Sequence, residues 1–167
     1  MVKFRNLKKD EIEVRIATVN EKGASLLLYK NARCDMNILD ETVGSLWGRK
    51  HYECKGNLFC SVGIKIEDEW VWRDDCGTES YAEKEKGEAS DSFKRACFNW
   101  GIGRELYTSP FIWVSADKIK MSESRGKKTT YDKFYVEKIA IENGKITGLS
   151  IVNNRKERVF VWTEDKA

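Results

Sequence analysis

Residues 85–107, EKGEASDSFKRACFNWGIGRELY, have the apolar spacing of a long amphipathic helix that covers a sheet. Ser80 and Glu83 precede the stretch and stand three residues apart, as in a capping box, which predicts where the helix begins. Gly101 and Gly103 predict where it ends. The residues that recur at steps of three and four and suit burial are Ala82, Ala89, Phe93, Ala96, Cys97 and Trp100.

The other side of this helix carries Lys94, Arg95 and Phe98, which lie about 100°, 200° and 140° around the axis from Phe93. One interpretation is a solvated face, on which Arg95 pairs with Asp91 and Phe98 packs under a loop or another subunit; composition alone favours it. The other interpretation is phosphate contact by Lys94 and Arg95, with stacking on nearby aromatic rings. That combination of contacts is typical of proteins that bind a single nucleic-acid strand.

The chain before the helix predicts three antiparallel strands at residues 47–53, 58–66 and 70–76. The middle run, LFCSVGIKI, places every second apolar residue on the same face, which then needs a cover. The long helix supplies that cover. Strands followed by a helix predict an α+β fold with an antiparallel β-β-β-α core.

The flanking segments are less regular. Residues 33–44 have helical spacing that stops at Gly44, and residues 25–30, SLLLYK, fit a short strand or the buried start of a helix. Residues 4–16 have mixed polarity, which predicts a short helix or an arm.

The C-terminal part of the chain divides into a basic segment and a second set of strands. Residues 115–133 are rich in lysine and carry little to bury, which predicts an exposed and mobile basic loop. Residues 134–162 return to alternating runs, separated by Asn143-Gly144 and Asn153-Asn154 turns. This pattern predicts a C-terminal β-meander in addition to the β-β-β-α core.

Composition limits the class of protein. A chain of 167 residues is most simply one domain, 1–167, and its net charge of +3 means that any attraction to polyanions comes from local patches. Five cysteines, without a C-x-x-C pair, and one histidine argue against a disulfide framework and a zinc site. Reduced thiols predict a cytoplasmic protein. No apolar run approaches the ~20 residues of a membrane span, and no signal peptide is evident.

Few residues suggest catalysis, so the sequence predicts a protein that is not an enzyme and uses no cofactor. His51 lies in a predicted strand, where a structural role is favoured over general base catalysis. Asp74, Asp75 and the acidic turn 67–69 are ligand types that Mg²⁺ accepts, but acidic residues are common at turns and strand ends, and we favour that interpretation. The chain has no phosphate-binding P-loop, and GIG at 101–103 ends a helix rather than following a strand.

DDCGTES at 74–80, followed by the quoted helix, resembles the signature of the Rad52/Rad22 family of single-strand annealing proteins. In that family a strand ending in D-x-G leads into a long helix with D-x-x-K-R-A that closes with an aromatic residue and glycine. LLLYKNARCDMNILDETVG at 26–44 is similar to a second family segment. The WVW strand and residues 83–95 and 101–113 look most like the short versions carried by phages and prophages. The resemblance covers about residues 13–114, the expected annealing core. The matching positions are Tyr29, Asn37, Glu41, Gly44, Asp75, Gly77, Asp91, Lys94, Arg95, Ala96, Trp100 and Gly101.

The resemblance implies ring-shaped homo-oligomers with a positively charged groove that holds single-stranded DNA. The adjacent Lys and Arg of the long helix line that groove in the family, which points to Lys94 and Arg95 here. Phe98 stands where the family has a further basic residue, so that contact is absent or is replaced by stacking. Arg33 falls one position before the family's arginine of the first helix. The remaining DNA-binding candidates, most of them chosen by charge alone, are Arg49, Lys50, Lys65, Arg73 and Arg104.

The sequence therefore predicts ATP-independent binding of single-stranded DNA and annealing of complementary strands in phage-type recombination and repair. Its expected partners are single-stranded DNA, further copies of itself, and a host single-strand binding protein or a phage exonuclease. Two alternatives stay open. One is a mediator that binds single strands and loads another protein without annealing, and the other is an assembly or inhibitory protein that keeps the fold and does not bind DNA.

Overall fold

The computed structural model describes residues 2–78 and 84–165, which form two compact units. The first unit comprises the N-terminal residues up to Asn6 together with Asn31–Arg104, and the second comprises Leu7–Lys30 together with the residues from Glu105 onward. The helices are α1 (Ala32–Val43) and α2 (Lys84–Trp100). The strands are β1 (Glu13–Asn20), β2 (Gly23–Tyr29), β3 (Trp47–Cys54), β4 (Asn57–Ile66), β5 (Glu69–Cys76), β6 (Ile112–Ser115), β7 (Met121–Ser124), β8 (Lys127–Thr130), β9 (Phe134–Glu142), β10 (Lys145–Asn153) and β11 (Arg158–Thr163).

The first unit is built on an antiparallel sheet in the order β3-β4-β5, with α2 packed on β4 and β5. The alternation read from the sequence explains this packing, because Cys60, Val62 and Ile64 all point to the helix side and are fully buried. Burying these residues together with the apolar face of α2 removes their surface from water, which is the main source of stability for such a layer. The predicted α+β class is confirmed.

The two helices begin and end where local chemistry allows. The Asn31 side chain accepts a hydrogen bond from the Cys34 amide at 3.0 Å and caps α1, which stops at Gly44. Helix α2 ends at Trp100, followed by Gly101 and a second glycine, both with left-handed φ angles. The predicted capping box at residues 80–83 lies outside the described residues.

The second unit contains a six-stranded sheet in the order β11-β10-β9-β1-β2-β6. Its paired strands are antiparallel, and β1 meets β9 at the single residue pair Glu13–Tyr135. The predicted C-terminal strands are β9, β10 and β11, with a turn at Asn143-Gly144. Across the six-stranded sheet, the apolar residues that are fully or almost fully buried include Ala24, Leu26, Ile112, Val114, Ile146 and Ile151.

Two local expectations are wrong. Residues 13–16, the end of the stretch 4–16 predicted as a short helix or arm, belong to β1. Their hydrogen bonds go to β2, and this pairing with another strand leaves no helical spacing in the sequence. The segment 115–133 is not a loop throughout, since β7 and β8 pair as a hairpin. Arg125 and Gly126 both have positive φ, as a two-residue hairpin turn requires, and the basic side chains stay on the surface of that hairpin.

Each of the two units combines segments that are distant in the sequence. Strands β1 and β2, which fall within the stretch 13–114 that resembles the family, pack with the C-terminal strands. Pairing between segments distant in sequence produces this arrangement. In the described part of the chain, no helix has the length and apolar character needed to cross a membrane.

We expect acid to weaken the second unit through Glu137. Hydrogen bonds from Arg158 and Ser150 lower the pKa of Glu137 from 4.5 to about 2. A carboxylate whose pKa is lowered by folding contributes stability that is complete above its unfolded pKa and is lost as the pH falls through the folded pKa. Glu137→Gln should therefore reduce the loss of thermal stability between pH 4.5 and about 2, measured by circular dichroism.

Glu142→Gln, an exposed change on the same strand, is the matched control. An acid dependence identical in the parent and in Glu137→Gln would contradict the assignment.

Candidate nucleic-acid interface

Helix α2 turns its apolar face to the sheet and its basic residues away from it. Phe93 and Cys97 are fully buried, and the Trp100 indole donates a hydrogen bond to the carbonyl oxygen of Val62 at 2.9 Å. Lys94 and Arg95, with Phe98, are only half-buried. The side of the helix predicted from spacing is therefore correct, and Lys94 and Arg95 lie together on its outer surface.

Asp91, which lies one helical turn before Arg95, forms an ion pair with it and fixes its direction. Its carboxylate accepts hydrogen bonds from the Thr78 amide at 2.9 Å, the Thr78 hydroxyl at 3.0 Å and the Arg95 Nε at 3.0 Å. Burial raises the pKa of Asp91, but the hydrogen bonds from Thr78 and Arg95 outweigh burial, and the pKa lies below its ordinary value. The ion pair that the sequence offered as the alternative to DNA contact is thus present, and it also fixes the direction of Arg95, whose side chain stays 42% exposed.

The D-x-G motif has a structural explanation. Gly77 lies against α2 so closely that a Cβ atom there would be 2.3 Å from the carbonyl oxygen of Glu88. The Asp75 carboxylate accepts a hydrogen bond from the Cys76 amide at 2.7 Å and another from the Asn99 side chain at 3.2 Å. These contacts attach the end of β5 to two places on α2, so the motif sets the position of the helix on the sheet.

Two predicted DNA-binding arginines contact the C-terminal end of α2. Arg104 donates hydrogen bonds to the carbonyl oxygens of Phe98 and Asn99, at 2.8 Å and 2.9 Å. Arg73 donates to the same Asn99 carbonyl, and its guanidinium lies 4.5 Å from the ring centroid of Trp100. Cations are favourable at this end of a helix because the last carbonyls carry partial negative charge. Both arginines therefore satisfy carbonyl groups at the C-terminal end of α2.

The basic residues of the strands divide between two faces of the sheet. Arg49 and Arg73 lie opposite Val62 and point to the helix side, where the Arg49 guanidinium is 5.0 Å from the ring centroid of Phe93. Lys50 and Lys65 point to the other side, which we call the open face. The four residues chosen by charge alone consequently do not form one patch. Arg33 is exposed in the first turn of α1, the helix that contacts α2.

The open face also carries aromatic residues that were not predicted as functional. Trp70 and Trp72 stack with ring centroids 5.6 Å apart, and they are 46% and 36% exposed. Tyr52 stacks on Phe59, and its hydroxyl donates to Asp74, which raises the pKa of Tyr52 to about 12. The signal was available in the sequence, because WVW in a strand places both tryptophans on the same face.

His51, the residue considered for general base catalysis, contacts the backbone of α2. The His51 ring Nε2 lies 3.2 Å from the carbonyl oxygen of Ala89 and donates to it. Burial raises the pKa of Cys60 to about 11, which keeps it a thiol. Across residues 2–78 and 84–165, no group of three or more His, Cys, Asp or Glu side chains is arranged to hold a metal ion.

Gly77→Ala should destabilise the first unit, because the new methyl group meets the helix backbone rather than a movable side chain. We expect a loss of about 1–3 kcal/mol, the usual cost of overpacking, and a matching fall in the thermal midpoint. Gly48→Ala is the matched control, since a Cβ atom at Gly48 meets nothing within 4 Å. Equal midpoints for the two variants would show that Gly77 does not constrain the helix.

One of three comparisons with known proteins gives a match. A model of the Rad52/22 family of double-strand break repair proteins matches residues 33–128, more than half of the chain. The matched stretch contains β3–β5 and α2, and so includes Lys94 and Arg95. Neither the curated proteins nor the solved structures gave a match. On the strength of the family match, this chain belongs to the Rad52/22 family of double-strand break repair proteins.

Proposed function

We propose that this protein anneals complementary single strands of DNA without a nucleotide cofactor. Membership of the family indicates a role in DNA recombination and repair, with binding of single-stranded DNA and oligomerisation. The observation that carries the finer proposal is the position of Lys94 and Arg95, adjacent residues of the family motif on the outer surface of α2. Their side chains form a phosphate-binding pair whose supporting helix is fixed to the sheet by Gly77 and Asp91.

Phosphate binding explains the first step of annealing. Lysine and arginine neutralise phosphates and release condensed counterions, so binding is independent of sequence and weakens with salt. A chain with a net charge of only +3 achieves this by concentrating basic residues where the strand passes. The Asp91 pair pre-orients the Arg95 guanidinium, which reduces the side-chain entropy lost when a phosphate binds.

Base pairing then supplies the driving force. A strand held by its phosphates presents its bases to a second strand, while the basic residues relieve repulsion between the two backbones. Each stacked base-pair step contributes about 1.4 kcal/mol, so pairing needs no coupled hydrolysis. The protein acts in this scheme as an annealing protein rather than an enzyme.

Oligomerisation increases the number of weak phosphate-binding sites that one DNA strand can contact. We propose a ring of identical subunits, because many modest phosphate contacts along one strand add up to high avidity. We propose that the protein acts in the cytoplasm of a bacterial host during phage-type recombination; its five cysteines are free thiols, which suit a reducing compartment. A host single-strand binding protein or a phage exonuclease is the proposed source of the strand.

Replacing both Lys94 and Arg95 with alanine should abolish annealing of complementary oligonucleotides while the protein folds and assembles as before. Neither residue belongs to the buried core, and the ion pair with Asp91 is worth little, so stability should fall by less than about 1 kcal/mol. The slope of log affinity against log salt should decrease by about 0.7 for each phosphate that the variant no longer binds. Fluorescence anisotropy and a strand-annealing assay measure the two effects.

Lys138→Ala with Lys156→Ala removes the same charge from exposed positions of the second unit and is the matched control. If the Lys94→Ala, Arg95→Ala variant anneals normally at moderate salt, these two residues do not bind DNA and are only part of the helix surface. Binding without annealing in the parent protein would identify a mediator, and no binding at low salt would identify an assembly or inhibitory protein.

The parent protein should form assemblies of many subunits at micromolar concentration. A ring places equivalent DNA sites side by side, and exposed aromatic residues of the second unit, such as Tyr131 and Tyr135, provide apolar surface for subunit contacts. Mass photometry and electron microscopy, with and without single-stranded DNA, measure the assembly. A monomer under both conditions is the result that contradicts the ring.

A further inference from the structure

The open face of the β3-β4-β5 sheet contains a flat notch between an aromatic pair and a cation. Gly48 of β3 lies directly opposite Gly63 of β4, so no side chain projects from the sheet at this residue pair. The Trp72 ring covers Gly63, where a Cβ atom would come within 2.6 Å of the indole. Beside Gly48 a Cβ atom would meet nothing within 4 Å, which leaves open space on the floor of the sheet.

Positive charge borders this space. Lys50 Nζ lies 4.3 Å from the ring centroid of Trp72. Lys65 of β4 is directly opposite Trp70 of β5, on the same face of the sheet. Two of the negative groups near this space have partners of their own. Asp74 accepts hydrogen bonds from the hydroxyls of Tyr52 and Ser61, and Asp68 lies 3.9 Å from Lys65.

We propose that the open face is a base-stacking surface for single-stranded nucleic acid, in which a base enters the notch at Gly48 and stacks against the Trp70–Trp72 pair. Lys50 and Lys65 contact the adjoining phosphates. This surface is on the side of the sheet opposite α2, and it differs chemically from the Lys94–Arg95 pair, because it binds bases as well as phosphates. The inference deepens the proposed function and rests on it.

Charge selects nucleic acid over a second copy of this chain as the occupant. An apolar subunit contact over the tryptophans would take the ammonium group of Lys50, which lies over the Trp72 ring, out of water without an anion to pair with it, which is costly. A single strand offers flat bases to the indoles and phosphates to the amines, so both kinds of group are satisfied. Each base stacked on an aromatic residue typically strengthens binding severalfold to more than a hundredfold, because stacking is worth about 1–3 kcal/mol.

The test compares two probes of equal length and charge, a thymidine oligonucleotide and an abasic phosphodiester. Trp70→Ala with Trp72→Ala should weaken binding of the thymidine probe by at least about tenfold in fluorescence anisotropy, and should change binding of the abasic probe by less than about twofold. Lys50→Met with Lys65→Met should weaken both probes and lower both salt slopes. Phe111→Ala removes a 77% exposed ring from the second unit and should leave both probes unaffected.

Gly48→Val provides a second variant that keeps both tryptophans. Valine suits a strand and has room at this position, so the thermal midpoint should not fall, while the filled notch should weaken only the thymidine probe. Equal losses for both probes, or no loss with either variant, overturn the stacking surface. Loss of the assembly in Trp70→Ala, Trp72→Ala without DNA would assign the face to a second copy and overturn it as well.

The two proposals fail separately. If the parent protein binds neither probe, the proposed function fails. If the parent binds and anneals, and the tryptophan and Gly48 variants keep its preference for the thymidine probe, only the stacking surface fails.

Discussion

The close contact between the end of β5 and the middle of α2 controls the arrangement of the first unit. Gly77 leaves no space for a side chain beneath Glu88, and Asp91 fastens Thr78 to the same stretch of helix. This contact fixes the distance of α2 from the end of β5 and the rotation of the helix about its axis. As a result, the apolar residues of α2 face the sheet, and Lys94 and Arg95 point away from it. The family motif therefore combines residues that position the helix with residues on its outer surface that we propose bind DNA.

The same sheet separates two kinds of cation. Arg49 and Arg73 point to the helix side, where their planar guanidinium groups lie near aromatic rings, and Arg73 also binds a helix carbonyl. Such stacked, hydrogen-bonded geometry suits arginine better than lysine. Lys50 and Lys65 occupy the open face, where flexible ammonium groups remain near solvent. A list of basic residues alone does not reveal this separation, which decides what each cation can bind.

Much of the first unit could be predicted because its patterns are local. Period-two alternation in β4 and steps of three and four in α2 give the correct elements, and the resemblance to the family is confirmed by the match over residues 33–128. The prediction failed for β1 and for the β7-β8 hairpin. Both depend on pairing with another strand, and a polar edge segment such as residues 121–130 has little apolar patterning to show it.

The sequence by itself determined the α+β class, the outer position of Lys94 and Arg95, and the absence of a P-loop, since each follows from residue types and their spacing. Only the tertiary structure decided that β1 and β2 pack with the C-terminal strands, that Arg104 and Arg73 bind the last carbonyls of α2, and that Trp72 covers Gly63 beside an open notch at Gly48. Periodicity states which side of an element a residue occupies. The neighbour on that side is set by strand pairing and helix packing between distant segments, which no local pattern encodes.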